Sequence, residues 1–249
     1  MLQTTRRLTR ENIWTVLLTV VAAGAALGVT ACGKGDNSAS NSTPVAGKIT
    51  ATAPPAGADT DHAATGAGLP AGYSAAFDHA NAKVSDVSYS EKEPGRWEVK
   101  TGPAHILFSP RDTAANKYSV SATFEQVEAP SHPEAFGVFV GGSNLNAPNA
   151  RYSYFIVRGD GKFMVKVRDG ANTRTVTDWT AHPSIPKQDA AGKGLYGIKI
   201  DVSGKAANVS VNGVPITTIS GKNAPLNGIT GVRINHNLHL IVTPVSVIR

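Results

Sequence analysis

Two carboxylates on one surface can carry out acid–base chemistry, and the chain offers two close pairs. Glu125 and Glu128 are three residues apart, so on a regular strand they point to opposite faces and cannot act on one bond. Glu91 and Glu93 have the right parity but stand beside Pro94-Gly95, ahead of the first clear strand. His236 and His239 lie three apart in Asn235-His236-Asn237-Leu238-His239. Two imidazoles can hold a metal, but with no carboxylate near them in sequence they read as turn and surface residues. No catalytic residue and no metal ligand is therefore expected. Asp112, Asp160, Asp169 and Asp201 border turns, where Asp is favoured by its own local hydrogen bonds. No Gly-x-Ser-x-Gly elbow occurs. Cys32 is the sole cysteine, which rules out an intramolecular disulfide and Cys-rich zinc sites.

The surroundings of Cys32 are the most informative in the chain. A short polar segment with three arginines, Met1 to Asn12, precedes the uncharged apolar run Ile13 to Ala31. Basic, apolar and small-residue segments in that order form a secretory signal. The block Val29-Thr30-Ala31-Cys32 resembles the lipobox of bacterial lipoproteins, with Val29 where Leu is most frequent. The resemblance implies cleavage before Cys32 and attachment of diacylglycerol to its sulfur, so that lipid on Cys32 joins the protein to a membrane. At about 0.8 kcal/mol per buried methylene, two or three acyl chains anchor stably. The rival reading is an uncleaved helix, since about 19 apolar residues sit at the lower end of a spanning length. Arg6-Arg7 resembles a twin-arginine signal only faintly, which favours Sec export. Gly33, where an Asp would mark inner-membrane retention, implies the outer membrane, on its periplasmic or surface face, in a Gram-negative cell.

Residues 33–70 are nearly all Gly, Ala, Ser, Thr, Pro, Asn and Asp. Such a stretch cannot bury enough surface to offset its chain entropy, and is read as a disordered tether with His62 solvated. The domain plan is a signal peptide over 1–31, a lipidated Cys and linker over 32–70, and one folded domain over 71–249. The formal charge of +6 includes +2 from residues before Cys32. Lys and Arg are scattered singly in the rest, so nucleic acid is not expected as a partner.

From Arg96 onward the chain reads as strand after strand. Tyr118, Val120, Ala122 and Phe124 alternate with Ser119, Ser121, Thr123 and Glu125, the period of a strand with one buried face. Further strands are expected at 97–99, 105–109 (ended by Pro110), 135–140, 151–158, 162–168, 174–179, 195–202, 208–211, 214–219, 229–234 and 238–248. Pro244 marks a bulge or edge in the last of these. Only Tyr73 to Lys83 looks helical. Two hairpins stand out, across Gly159-Asp160-Gly161 and Asn212-Gly213. The first decides a surface. A three-residue loop with Gly161 left-handed pairs Arg158 with Lys162. It then puts Phe155, Val157, Phe163, Val165 and Val167 on the core face, and Tyr152, Tyr154, Ile156, Arg158, Met164, Lys166 and Arg168 on the other. A two-residue turn would put Lys166 and Arg168 beside Phe155 and Val157. The fold class is thus all-β, a sandwich or barrel.

The runs Ala135 to Gly142 with Tyr152 to Arg158, Leu195 to Val202 with Ala207 to Gly213, and Gly228 to Ile234 resemble strands of concanavalin A-like lectin/glucanase domains. Laminin-G-like and 3-keto-disaccharide-hydrolase-like members share the strand–turn–strand ending in Val-Asn-Gly. The resemblance covers roughly Arg96 to Arg249. It implies a jelly-roll sandwich of two curved antiparallel sheets, one of which often binds or cleaves polysaccharide. The glucanase motif Glu-x-Asp-x-x-Glu is absent. Laminin-G-like relatives use turn aspartates for calcium, but turn chemistry alone explains them here, and no cofactor is expected. The saccharide-binding candidates are Tyr152, Tyr154, Arg158, Lys166 and Arg168, expected as an exposed face of two tyrosines and a row of cations. Plain sheet packing is the alternative. Trp179 is read as a core residue, with a rim position as the alternative. The resulting expectation is a lipid-anchored, non-catalytic envelope module for a polysaccharide or envelope glycan. The rivals are a glycoside-hydrolase-like enzyme and a structural lipoprotein with a protein partner.

Overall fold

Antiparallel ladders account for all fifteen strands in the computed structural model, which describes residues 60–62, 64 and 68–249. The run read as a leader, Cys32 and nearly all of the 32–70 stretch lie outside these residues. The strands are β1 (Ser74–Phe77), β2 (Val87–Glu93), β3 (Arg96–Thr101), β4 (His105–Ala114), β5 (Lys117–Gln126), β6 (Ala135–Ser143), β7 (Arg151–Arg158), β8 (Lys162–Asp169), β9 (Asn172–Ala181), β10 (Gly194–Ser203), β11 (Ala206–Val211), β12 (Val214–Ser220), β13 (Gly228–Ile234), β14 (His239–Val242) and β15 (Ser246–Ile248). They form a seven-stranded sheet in the order β1-β4-β13-β6-β7-β8-β9. An eight-stranded sheet has the order β12-β11-β10-β5-β14-β3-β2, with β15 also paired to β5.

The two sheets face each other across one hydrophobic layer. β5 buries Tyr118, Val120, Ala122 and Phe124 and leaves the alternate residues half-exposed, as strand alternation requires. Phe136 of β6 packs between Phe124 and Tyr196, with ring centroids 5.3 and 5.2 Å apart. Each large side chain buried in this layer contributes about 1.5–3 kcal/mol.

Three local expectations need correction. β4 runs through Pro110 instead of ending there. The β4–β13 register shifts between Phe108 and Thr113, so the proline falls in an irregularity where no ladder donor is needed. Tyr73 to Lys83 is not helical. Ser74–Phe77 pairs with β4, Tyr73 packs edge-on to Trp97 at 4.9 Å, and the one helical turn among the described residues is a 3-10 turn at Val84–Asp86. A sheet edge and an aromatic pocket outweighed a weak local preference. The closing run divides into β14 and β15 on either side of Pro244.

Both hairpins form as read. Arg158 pairs with Lys162 and Gly161 has φ +82°. Asn212 and Gly213 have φ +50° and +80°, the pair of left-handed residues a tight hairpin needs. The Asn212 side chain adds to this by accepting from the Gly197 amide (2.6 Å) and donating to the Leu195 carbonyl (3.1 Å). Asn212→Ala removes both bonds and puts alanine, which tolerates left-handed backbone less well than asparagine, at φ +50°. It is expected to cost about 1–2 kcal/mol, read as a lower midpoint in denaturant at unchanged slope.

Candidate functional site

The seven-stranded sheet has a second buried cluster on the face turned away from its partner sheet. It contains Ile106 and Phe108 of β4, Phe139 of β6, Tyr152, Tyr154 and Ile156 of β7, and Met164 of β8. Register shifts interrupt β13, the end of β6 and the β8–β9 ladder, and such bulges bend strands. Bending crowds the side chains of the inner side together. This corrects the expected exposure of the tyrosines: Tyr152 is 5 % and Tyr154 7 % exposed. Tyr152 packs against Phe139 and Tyr154, with centroids 5.3 and 5.5 Å away.

The polar centre of this face is Arg233 of β13, which the sequence reading had not singled out. Strand alternation puts Arg233 on this side and Val232 and Ile234 in the core. Its guanidinium donates to both Asp78 carboxylate oxygens at 2.8 and 2.5 Å, and Nε donates to Asn235 Oδ1 at 3.2 Å. Its centre lies 5.6 Å from the Tyr154 ring. Gly137, between Arg233 and Ile156 in the ladders, presents no side chain there. A Cβ at that position would come within 2.0 Å of the Phe155 carbonyl oxygen. Burial alone would raise the Asp78 pKa, but the Arg233 bonds and charge more than reverse it, so the carboxyl is held below its ordinary value. Burial pushes the Tyr154 phenol up to about 12 and raises Tyr152 as well. Both therefore remain neutral hydroxyls, able to donate or accept.

The cations of the face divide into two groups. Arg158 is committed: it forks onto Asp160 at 3.0 and 2.6 Å and stacks 4.2 Å over the Trp179 ring. Lys162 reaches the same carboxylate at 3.3 Å, and hydrogen bonding to Arg158 chiefly depresses the Asp160 pKa. Trp179 is accordingly a half-buried rim aromatic packed on the outer cluster and not a residue of the main core. Lys166 lies opposite Tyr154, and Arg168 opposite Tyr152. Lys166 has no ion-pair partner among the described residues, and Arg168 donates only to the Gly170 carbonyl. The structure thus brings all five candidates to one face, with Lys166 and Arg168 as its available charges.

The histidines near the C-terminus find the carboxylates that their sequence neighbourhood lacks. His239 bridges Glu98 (2.9 Å) and Glu128 (3.1 Å), one on each ring nitrogen. His236, His132 and Glu134 gather where β13 ends and β6 begins. The backbone of Thr60 and His62, in the stretch read as tether, bonds to the Asn237 side chain.

The two-sheet antiparallel sandwich is a galectin-like jelly-roll fold, and two solved structures illustrate the likeness. A carbohydrate binding module, CBM66 from Bacillus subtilis, superposes with TM-score 0.50 at 8 % identity, covering 72 % of this chain and 96 % of its own. A Bacillus subtilis protein of unknown function with a galectin-like fold gives 0.51 at 13 % identity, covering 71 % and 88 %. At these identities the likeness is one of fold. No protein-family model matches the chain, and no curated protein matches it in sequence.

Proposed function

We propose that the protein is a lipid-anchored envelope module that binds a glycan on the outer face of its seven-stranded sheet. The observation that carries the reading is the placement of Lys166 and Arg168, with no ion-pair partner among the described residues, opposite Tyr154 and Tyr152 of β7. Cations beside neutral hydrogen-bonding groups, with the half-buried Trp179 at the rim, suit a saccharide bearing carboxylate or phosphate. The fold likeness to a carbohydrate binding module supports it. Three carboxylates near the face are each bound to a cation: Asp78 to Arg233, Asp160 to Arg158, and Asp169 to Arg151. This favours binding over a two-carboxylate hydrolase.

Titration against peptidoglycan fragments, lipopolysaccharide and uronate polymers tests the binding. The Lys166→Ala/Arg168→Ala double variant is expected to bind at least tenfold more weakly, with the difference shrinking as salt rises. Failure of the wild type to bind any glycan would remove the proposal, and shortening of the glycan during incubation would remove its non-catalytic part.

The anchor rests on Val29-Thr30-Ala31-Cys32. Metabolic labelling with an alkynyl fatty acid is expected to mark the wild type and not Cys32→Ser, which should leave the membrane fraction. Equal labelling of both would end that part of the reading.

A further inference from the structure

We propose that His132, Glu134 and His236 form a binding site for a first-row divalent transition-metal ion, for which Zn2+ is the probe. One ligand atom from each residue can be chosen so that all three lie within 4.8 Å of one another. Glu134 Oε1 is the hub, 2.8 Å from His236 Nε2 and 3.5 Å from His132 Nε2. Metal bonds of about 2.0–2.1 Å place tetrahedral ligand atoms roughly 3.3 Å apart, so side-chain rotation alone closes the site around an ion. Two imidazoles and a carboxylate are a donor set for zinc, iron or cobalt, and poor for calcium or magnesium, which take oxygen ligands.

The atoms not offered to the ion are themselves held. His236 Nδ1 faces Asp61 Oδ1 at 3.4 Å. Glu134 Oε2 accepts from Asn235 Nδ2 at 3.1 Å. His132 Nδ1 lies 3.3 Å from the Ser131 hydroxyl. A carboxylate behind His236, a hydroxyl behind His132 and an amide behind Glu134 are partners of the kind that orient metal ligands. His239, by contrast, turns its two nitrogens to two different carboxylates and converges with nothing.

The backbone under the site is fixed. The Asn235 amide donates to the Ala135 carbonyl at 2.9 Å, which sets Asn235 opposite Ala135 and carries the β6–β13 register, in which Ile234 faces Phe136, on toward His236 and Glu134. Pro130 and Pro133 stiffen the connection that carries His132. Glu134 is nearly buried, whereas the side chains of His132 and His236 are 40 % and 26 % exposed. Three protein ligands with an open side leave a coordination position for water or a ligand oxygen. The adjoining cleft is lined by Ser131, Gly159, Asp160 and Gln188.

The test is calorimetric titration of metal-stripped full-length protein with Zn2+, supported by the visible absorption of the Co2+ form. One equivalent is expected to bind, with a Co2+ spectrum showing nitrogen ligation. His132→Ala and His236→Ala should each weaken binding at least 100-fold, and Asp61→Asn about tenfold. Thermal unfolding in chelator should be nearly unchanged in these variants, while a given Zn2+ concentration should raise the melting temperature of the wild type most, of Asp61→Asn less and of the two histidine variants least. No binding at 100-fold excess over protein would overturn the proposal. So would full retention in the His132→Ala/His236→Ala double variant, since the ion would then sit elsewhere. Glycan binding is measured separately and can stand or fall without it.

Discussion

Asp78→Ala is expected to cost about 3–5 kcal/mol of folding stability, seen as a fall in melting temperature of roughly 10 °C. The reason lies in which partner can escape. Arg233 has a side chain only 7 % exposed, whereas the Asp78 carboxylate is 31 % exposed. Removing Asp78 leaves a guanidinium in the apolar cluster, beside Ile106 and Tyr154, with no countercharge. The guanidinium cannot shed its proton, and Arg168 adds a like charge nearby. Arg233→Met is expected to cost less, because the remaining carboxylate still reaches water and the new side chain packs against Phe139 and Ile156. The Asp78→Leu/Arg233→Met double variant should recover most of the loss, since exchanging a buried pair for apolar groups is often near neutral. An Asp78→Ala protein as stable as the wild type would mean that Arg233 finds another partner, and would move the polar centre of the face elsewhere. Glycan titration on the Arg233→Met protein, which should stay folded, then shows whether the guanidinium also contributes to binding.

This pair shows where reading the chain ran out. The hairpin across Gly159-Asp160-Gly161 was legible because turn chemistry and alternation agree: a single register sorts Phe155, Val157, Phe163, Val165 and Val167 to one side. The same alternation along β13 puts Ile229, Gly231 and Arg233 together opposite Thr230, Val232 and Ile234. A lone arginine in so apolar a strand was a signal of buried charge. Its partner was not legible. Asp78 is 155 residues away, in a stretch that reads as weak helix until the β4 edge is there to receive it. The histidine sites are silent for the same reason. His236 and His239 looked poor because no carboxylate stands near them in sequence, yet Glu134, Glu98 and Glu128 arrive from other strands and connections. Burial of Tyr152 and Tyr154 also escaped the pattern, since alternation tells which side a residue faces and not how sharply that side is bent.

Acidification is expected to destabilise the fold in a window set by His105. This residue is fully buried on β4. Nδ1 lies 3.2 Å from the Pro103 carbonyl, and Nε2 lies 2.5 Å from the Tyr89 hydroxyl. The carbonyl can only accept, so Nδ1 carries the proton and Nε2 takes the Tyr89 bond. A neutral ring satisfies both contacts, whereas a protonated Nε2 would have to rearrange the phenol. Burial, chiefly, lowers the His105 pKa from 6.5 to about 4. Because the folded value lies below the unfolded one, the unfolded chain binds the extra proton first. Stability is therefore complete above about pH 7, declines between 6.5 and 4, and levels off below 4 as far as this group is concerned. At about 1.36 kcal/mol per tenfold change in proton affinity, the loss across that window is about 3 kcal/mol. Carboxylates with lowered values, such as Asp78 and Asp160, add their own losses at more acidic pH. The difference in unfolding free energy between wild type and His105→Leu, measured from pH 7.5 to 4 in urea, isolates the histidine. Contributions of groups common to both proteins cancel in that difference. That difference should narrow by about 3 kcal/mol as the pH falls, because the wild type alone bears the cost of holding a histidine neutral. A difference that stays constant across the range would show that His105 accepts its proton while folded.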